Sequence, residues 1–160
     1  MSRLLYISLF AILLSQGLKS QHESSMLNAD SSGINKARLI TVASLTSGIY
    51  IGGMSYLEYI WYKDCRRVPF HFYNDLKAYN QLDKFGHAFG SYMESYIGYK
   101  AFLWTGLPRN KAIWYGGLMG FFMQLPIEIW DGIYEGLGFS WGDVAANTLG
   151  SAIVIGQELA

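Results

Sequence analysis

Asp83-Lys84-Phe85-Gly86-His87-Ala88-Phe89-Gly90-Ser91-Tyr92-Met93-Glu94 is the stretch on which the fold turns. At 100° per residue, Asp83, His87, Gly90 and Glu94 fall within about 60° of one another, so a helix here carries one polar, glycine-bearing stripe. The pattern predicts a helix over 83–103. It stops before Pro108, because a proline disfavours helical geometry in the residue preceding it.

Working outward, the same arithmetic predicts a helix over 110–130 that groups Gly117, Gly120, Gln124, Glu128 and Asp131 on one face. Pro126 is expected to bend it. A last helix follows Ser140-Trp141-Gly142-Asp143 and runs through Ile155, with Ser140 placed to cap its first turn and Asp143 at the third position. Its polar face holds Asp143, Asn147 and Gly150. Upstream, 39–61 is apolar except for Glu58 and long enough, at 1.5 Å per residue, to cross a hydrocarbon core of roughly 30 Å. Ser44, Gly48 and Gly52 recur there every fourth residue, as Gly116 and Gly120 do downstream, the spacing that lets helix backbones approach closely. The connection 63–81 is polar, with an aromatic amphipathic stretch at 70–75 suited to a membrane interface.

Short connections make successive helices antiparallel. The start of the 83–103 helix, the end of 110–130 and the start of the last helix therefore share one end of the bundle, where Asp83, His87, Glu128, Asp131, Asp143 and Asn147 are expected to meet. Glu58 arrives at the same end. Ionisable groups within apolar helices are costly and usually find a partner or mark a function. Carboxylates with one imidazole suit a divalent cation, for which Asp83, His87, Glu128, Asp131 and Asp143 are the candidate ligands. The alternative is a structural polar network in which Lys84 or His87 neutralises the acids and Asn147 bonds across helices. Lys84 has a third option, since its long stem can carry its charge to an interface. No serine or cysteine has a histidine base beside it in sequence, so nucleophilic hydrolysis has no local support.

The composition limits the function classes. Of 160 residues, 51% are hydrophobic and 15% charged, with twelve basic residues against twelve acidic ones, and the mean hydropathy is +0.16. Balanced, scattered charge argues against nucleic acid as a partner. The single cysteine, Cys65, excludes a disulfide framework and a cysteine-based zinc site within the chain. At the N-terminus, Arg3, an apolar run over 4–14 and a small, polar stretch have the layout of a secretory signal peptide over 1–20. A polar linker over 21–36 and a helical domain over 37–160 follow. No cysteine follows the apolar run, so a lipid-anchor signal is not expected. The expected fold is all-α: an antiparallel bundle of about four apolar helices embedded in a membrane of the bacterial cell envelope, the inner membrane first, with a periplasmic bundle leaning on a membrane or outer-membrane association as the alternatives.

Three ordered motifs carry a family resemblance: Asp83-Lys84-Phe85-Gly86-His87; Glu128-Ile129-Trp130-Asp131-Gly132; and Gly138-Phe139-Ser140-Trp141-Gly142-Asp143-Val144-Ala145-Ala146-Asn147-Thr148-Leu149-Gly150. Over 83–150 the sequence resembles the YfiM-like family of bacterial envelope proteins and, more distantly, VanZ-like membrane proteins. The resemblance implies a helical envelope protein and supplies no biochemical activity. Two functional expectations follow. The first is a structural or partner-binding role, with membrane lipids, another envelope protein or a second copy as partner. The second is a metal-dependent hydrolase acting on an envelope lipid or phosphate head group.

Overall fold

The computed structural model describes residues 33–75 and 81–160. The expected signal peptide and all but the last few residues of the expected linker lie outside them. Residues 34–160 hold together as one unit. Helix α1 spans Lys36–Leu57 and passes into a wider π-helical turn, Glu58–Tyr62. Helices α2 (Leu82–Trp104), α3 (Arg109–Gly117), α4 (Met119–Asp131) and α5 (Trp141–Leu159) follow. No strand forms among the described residues; two isolated bridges join the loops at Arg67 and Tyr134 and at Phe72 and Phe139.

The expected bundle is present, with its third helix divided. The break falls at Leu118, between α3 and α4, and not at Pro126, which lies within α4. Two serines on neighbouring helices explain the position. A helix start leaves its first amides without partners in the helix. Gly120 N donates to Ser95 Oγ on α2 at 3.0 Å, and Phe121 N donates to Ser151 Oγ on α5 at 2.9 Å. The neighbours thus cap α4 from outside. At α5, Ser140 Oγ accepts from Asp143 N at 3.2 Å, the cap its sequence predicts.

Glycine makes this seam possible. A Cβ built at Gly120 would lie far inside contact distance of Ser91 O and 2.7 Å from Ser95 Oγ, and one at Gly150 would strike Ala88 O and lie 2.8 Å from Tyr92 N. Backbones of α2, α4 and α5 therefore touch directly. Beyond the seam, Tyr99, Ala112, Ile113, Val154 and Ile155 form the buried apolar core, with Tyr92, Phe102 and Leu118 packed on it.

Helix α1 differs. Asn35 caps it, accepting from Arg38 N at 3.0 Å, and ties it to the far end of α2, where Asn35 N donates to Thr105 O. At its other end Tyr62 is buried and stacks on Tyr134 at 4.7 Å. Between these anchors Val42 is the only buried residue of α1.

The membrane-spanning expectation is corrected here. No helix among the described residues is long and apolar enough to cross a membrane, so neither the embedded bundle nor the inner-membrane assignment is supported. The reasons are compositional. Helix α1 is diluted by Thr41, Ser44, Thr46, Ser47, Ser55 and three glycines, and Glu58 enters the π turn that follows. Helix α2 carries Asp83, Lys84, Glu94 and Lys100. Helix α4, at 13 residues, reaches only about 20 Å.

Candidate functional site

The two loops beside the helix ends zip together and build the floor of a site. Val68 N donates to Ile133 O, His71 N to Gly132 O, Tyr73 N to Phe139 O and Phe139 N to His71 O, all at 2.8–3.0 Å. This pairing carries Asp75, from the loop expected to be interfacial, onto the start of α5. Asp75 Oδ1 there accepts from Ser140 Oγ at 2.8 Å.

Lys84 closes one side. Its Nζ lies 2.5 Å from Asp75 Oδ2, 2.7 Å from Asp143 Oδ1 and 3.4 Å from Asp83 Oδ2. The Asp143 contact is an ion pair. The Lys84 side chain is only 13% exposed, so it points into the site and does not extend to an interface. Burial alone disfavours its charge, yet the Asp143 and Asp75 carboxylates outweigh that and hold its pKa above the ordinary lysine range. For Asp75 burial is again the opposing influence. The Lys84 and Ser140 hydrogen bonds prevail and keep its carboxyl below the usual value.

His87 occupies the other side. Its Nδ1 lies 3.2 Å from Asn147 Oδ1, and because that oxygen only accepts, Nδ1–H is the donor. Nε2 faces three carboxylates without a hydrogen bond to any: Glu128 Oε1 at 3.5 Å, Asp83 Oδ1 at 3.8 Å and Asp143 Oδ1 at 4.0 Å. Glu128 is 1% exposed. Its Oε2 accepts from Ser140 N at 3.3 Å, and its Oε1 has no hydrogen-bond partner. Burial, reinforced by the charge of Asp143, pushes the Glu128 carboxyl up to about 8. Burial also raises Asp143, against the pull of Lys84.

Asp131 sits at the edge of this group, where its Oδ1 accepts from Tyr62 OH at 2.6 Å. Burial raises its pKa, opposed by that hydrogen bond. Glu58 reaches the same end of the bundle but belongs to a separate surface network, accepting from Tyr134 OH at 2.7 Å, Trp130 Nε1 at 2.9 Å and Arg67 Nη2 at 3.0 Å. Of the residues singled out in the sequence, Asp83, His87, Glu128, Asp143 and Asn147 are thus brought into one cluster, with Asp131 beside it. Sequence reasoning missed Asp75, the bridging role of Ser140, and the Ser91, Ser95 and Ser151 seam. In that seam Ser91 Oγ donates to Asn147 O at 2.6 Å and Ser151 Oγ lies within 3.0 Å of both other hydroxyls.

These serines bond one another and the backbone, and neither described histidine serves as their base. His71 turns its Nε2 to Leu137 O at 2.9 Å, and His87 turns to Asn147 and the acids. The arrangement can hold charge and bind a cation. It does not activate a hydroxyl nucleophile.

Glu94 lies outside the cluster, on the same face of α2, where Gln124 Nε2 donates to its Oε2 at 3.2 Å. Burial pushes its carboxyl from an ordinary 4.5 up to about 7. Between these values the folded chain binds more protons than the unfolded one, so this residue's effect is that stability falls as pH rises through the window. Glu94→Gln removes the effect. Thermal unfolding is expected to show the variant's advantage over wild type growing from about pH 4.5 through about pH 7; an advantage independent of pH would contradict the assignment.

A family model described as "Predicted periplasmic lipoprotein (DUF2279)" matches residues 71–156, just over half of the chain, and takes in α2, α3, α4, most of α5 and every residue of the cluster. No curated protein and no solved structure matches.

Proposed function

The chain belongs to this family of predicted periplasmic lipoproteins and so to the cell envelope, and on that premise we propose a non-enzymatic, partner-binding role in which α1 docks against a helix of another envelope protein. We read the motifs at 83–87, 128–132 and 138–150 as those of a YfiM-like variant within it, more distantly VanZ-like.

The observation that carries the reading is the uncovered surface of α1. Ile40, Leu45, Ile49 and Ile51 are 61–73% exposed, on a helix held at its two ends and buried along its length only at Val42. At 100° per residue Ile40 and Ile51 lie on one side of the Gly48 and Gly52 stripe and Leu45 and Ile49 on the other, so the exposed apolar side chains flank the glycines, and such surface is where a partner docks. Gly48 and Gly52 support the same reading: a Cβ at either would meet nothing within 4 Å. Their spacing suits a close helix–helix approach, and unlike Gly120 and Gly150 they have no neighbour among the described residues. Membrane lipid is the second partner in this reading, facing the exposed Phe72, Tyr73 and Trp141 beside the cluster, as aromatics at a headgroup surface do.

Neither the family match nor the geometry supports the metal-dependent hydrolase. The partner-binding reading is tested by crosslinking in cells from α1 itself, using Gly48→Cys in a Cys65→Ser chain, where an adduct with a second envelope protein is expected.

A further inference from the structure

We propose that Asp83, His87, Glu128 and Asp143 form a binding site for one divalent transition cation of the zinc or manganese type, held for structure and not for hydrolysis. Two independent features point to it. The first is geometric: one ligand atom each from Asp83, His87 and Asp143 lies within 4.8 Å of the others. The second is Glu128, 1% exposed, whose unpartnered Oε1 is aimed at His87 Nε2 from 3.5 Å.

The orientation of His87 joins them. With Nδ1–H given to Asn147 Oδ1 at 3.2 Å, Nε2 is left facing carboxylate oxygens at 3.5, 3.8 and 4.0 Å. One imidazole nitrogen and three carboxylate oxygens thus converge on a single point, the donor set that a divalent cation bridges. Ligand atoms around a tetrahedral zinc stand about 3.4 Å apart, so the contacts to His87 Nε2 need to close by only a few tenths of an ångström, and the widest separation in the group by up to about 1.4 Å. An acceptor on the distal nitrogen is the usual support of a metal-binding histidine. The charges agree. Asp75, Asp83, Glu128, Asp131 and Asp143 gather at this end of the bundle, and Lys84 is the one ammonium paired with acids of the cluster among the described residues. Lys84 pairs with Asp75 and also shares Asp143 Oδ1 with the His87 side, and the acids still outnumber it there. One imidazole nitrogen among carboxylate oxygens selects zinc or manganese over calcium or magnesium, which prefer oxygen alone.

The test uses the full chain, stripped with chelator and titrated with zinc chloride or manganese chloride, with bound metal counted after gel filtration and the unfolding temperature recorded. One equivalent bound and a raised unfolding temperature are expected. Asp83→Asn is the safe variant, since its side chain is 43% exposed and its loss leaves the stripped fold intact. It and His87→Gln are expected to weaken binding at least tenfold, while His71→Gln leaves it unchanged. No stoichiometric binding, or binding indifferent to both Asp83→Asn and His87→Gln, would overturn the proposal. Because the titration does not involve α1, its failure and that of the partner-binding reading are separable.

Discussion

Lys84→Met is expected to lower the stability of the fold by about 3–5 kcal/mol, the usual effect of removing one partner from a buried ion pair. The loss is large because both acids left behind are enclosed. The side chains of Asp75 and Asp143 are only 10% and 5% exposed, and Met fills the stem's volume without returning the charge. For a chain of this size the unfolding temperature drops by roughly 10–20 °C. Asp83→Asn, which touches the same ammonium from a side chain 43% exposed, is expected to change stability by no more than about 1 kcal/mol. Equal, small effects of the two substitutions in thermal or denaturant unfolding would show that Lys84 does not neutralise buried charge.

Gly120→Ala is the second large effect. Its new methyl would collide with Ser91 O and stand 2.7 Å from Ser95 Oγ. The obstacle is partly backbone, so no side-chain rotation relieves it; α2 and α4 must separate. They would also give up the Gly120 N to Ser95 Oγ bond that starts α4. Overpacking of this kind costs about 3 kcal/mol, and the added strain of the broken cap acts in the same direction. Gly48→Ala is the matched control, because nothing lies within 4 Å of its Cβ position and alanine is the better helix former by up to about 1 kcal/mol. Denaturant unfolding should therefore separate the two alanines in sign. A tolerated Gly120→Ala would contradict the close packing of α2 on α4.

These two positions also mark what the sequence could and could not reveal. The convergence of Asp83, His87, Glu128, Asp143 and Asn147 was legible because helical periodicity and short antiparallel connections are local properties of a chain. The cap at Ser140 was legible for the same reason. Asp75 was not, since its place depends on two irregular loops pairing across a separation of more than sixty residues. Nothing periodic announces such a pairing. Lys84 lies about 100° around the helix from Asp83, and only the arrival of Asp75 turns it inward. The break at Leu118 was hidden because serines on two other helices create it. The membrane span was overread from 39–61, where the apolar run is real but shared with serines, threonines and glycines.

The open glycine stripe of α1 follows from the same contrast. Glycines at 116, 120 and 150 are filled by neighbouring backbone or side chains, whereas those at 48 and 52 face nothing among the described residues. The central claim is that another envelope protein supplies the missing neighbour, and the crosslink from Gly48→Cys in the Cys65→Ser background tests it most directly. An adduct of the chain with a second envelope protein is expected, one that disappears when Gly52→Leu fills the stripe while the unfolding temperature stays unchanged. Recovery of monomer alone, or an adduct indifferent to Gly52→Leu, would contradict it.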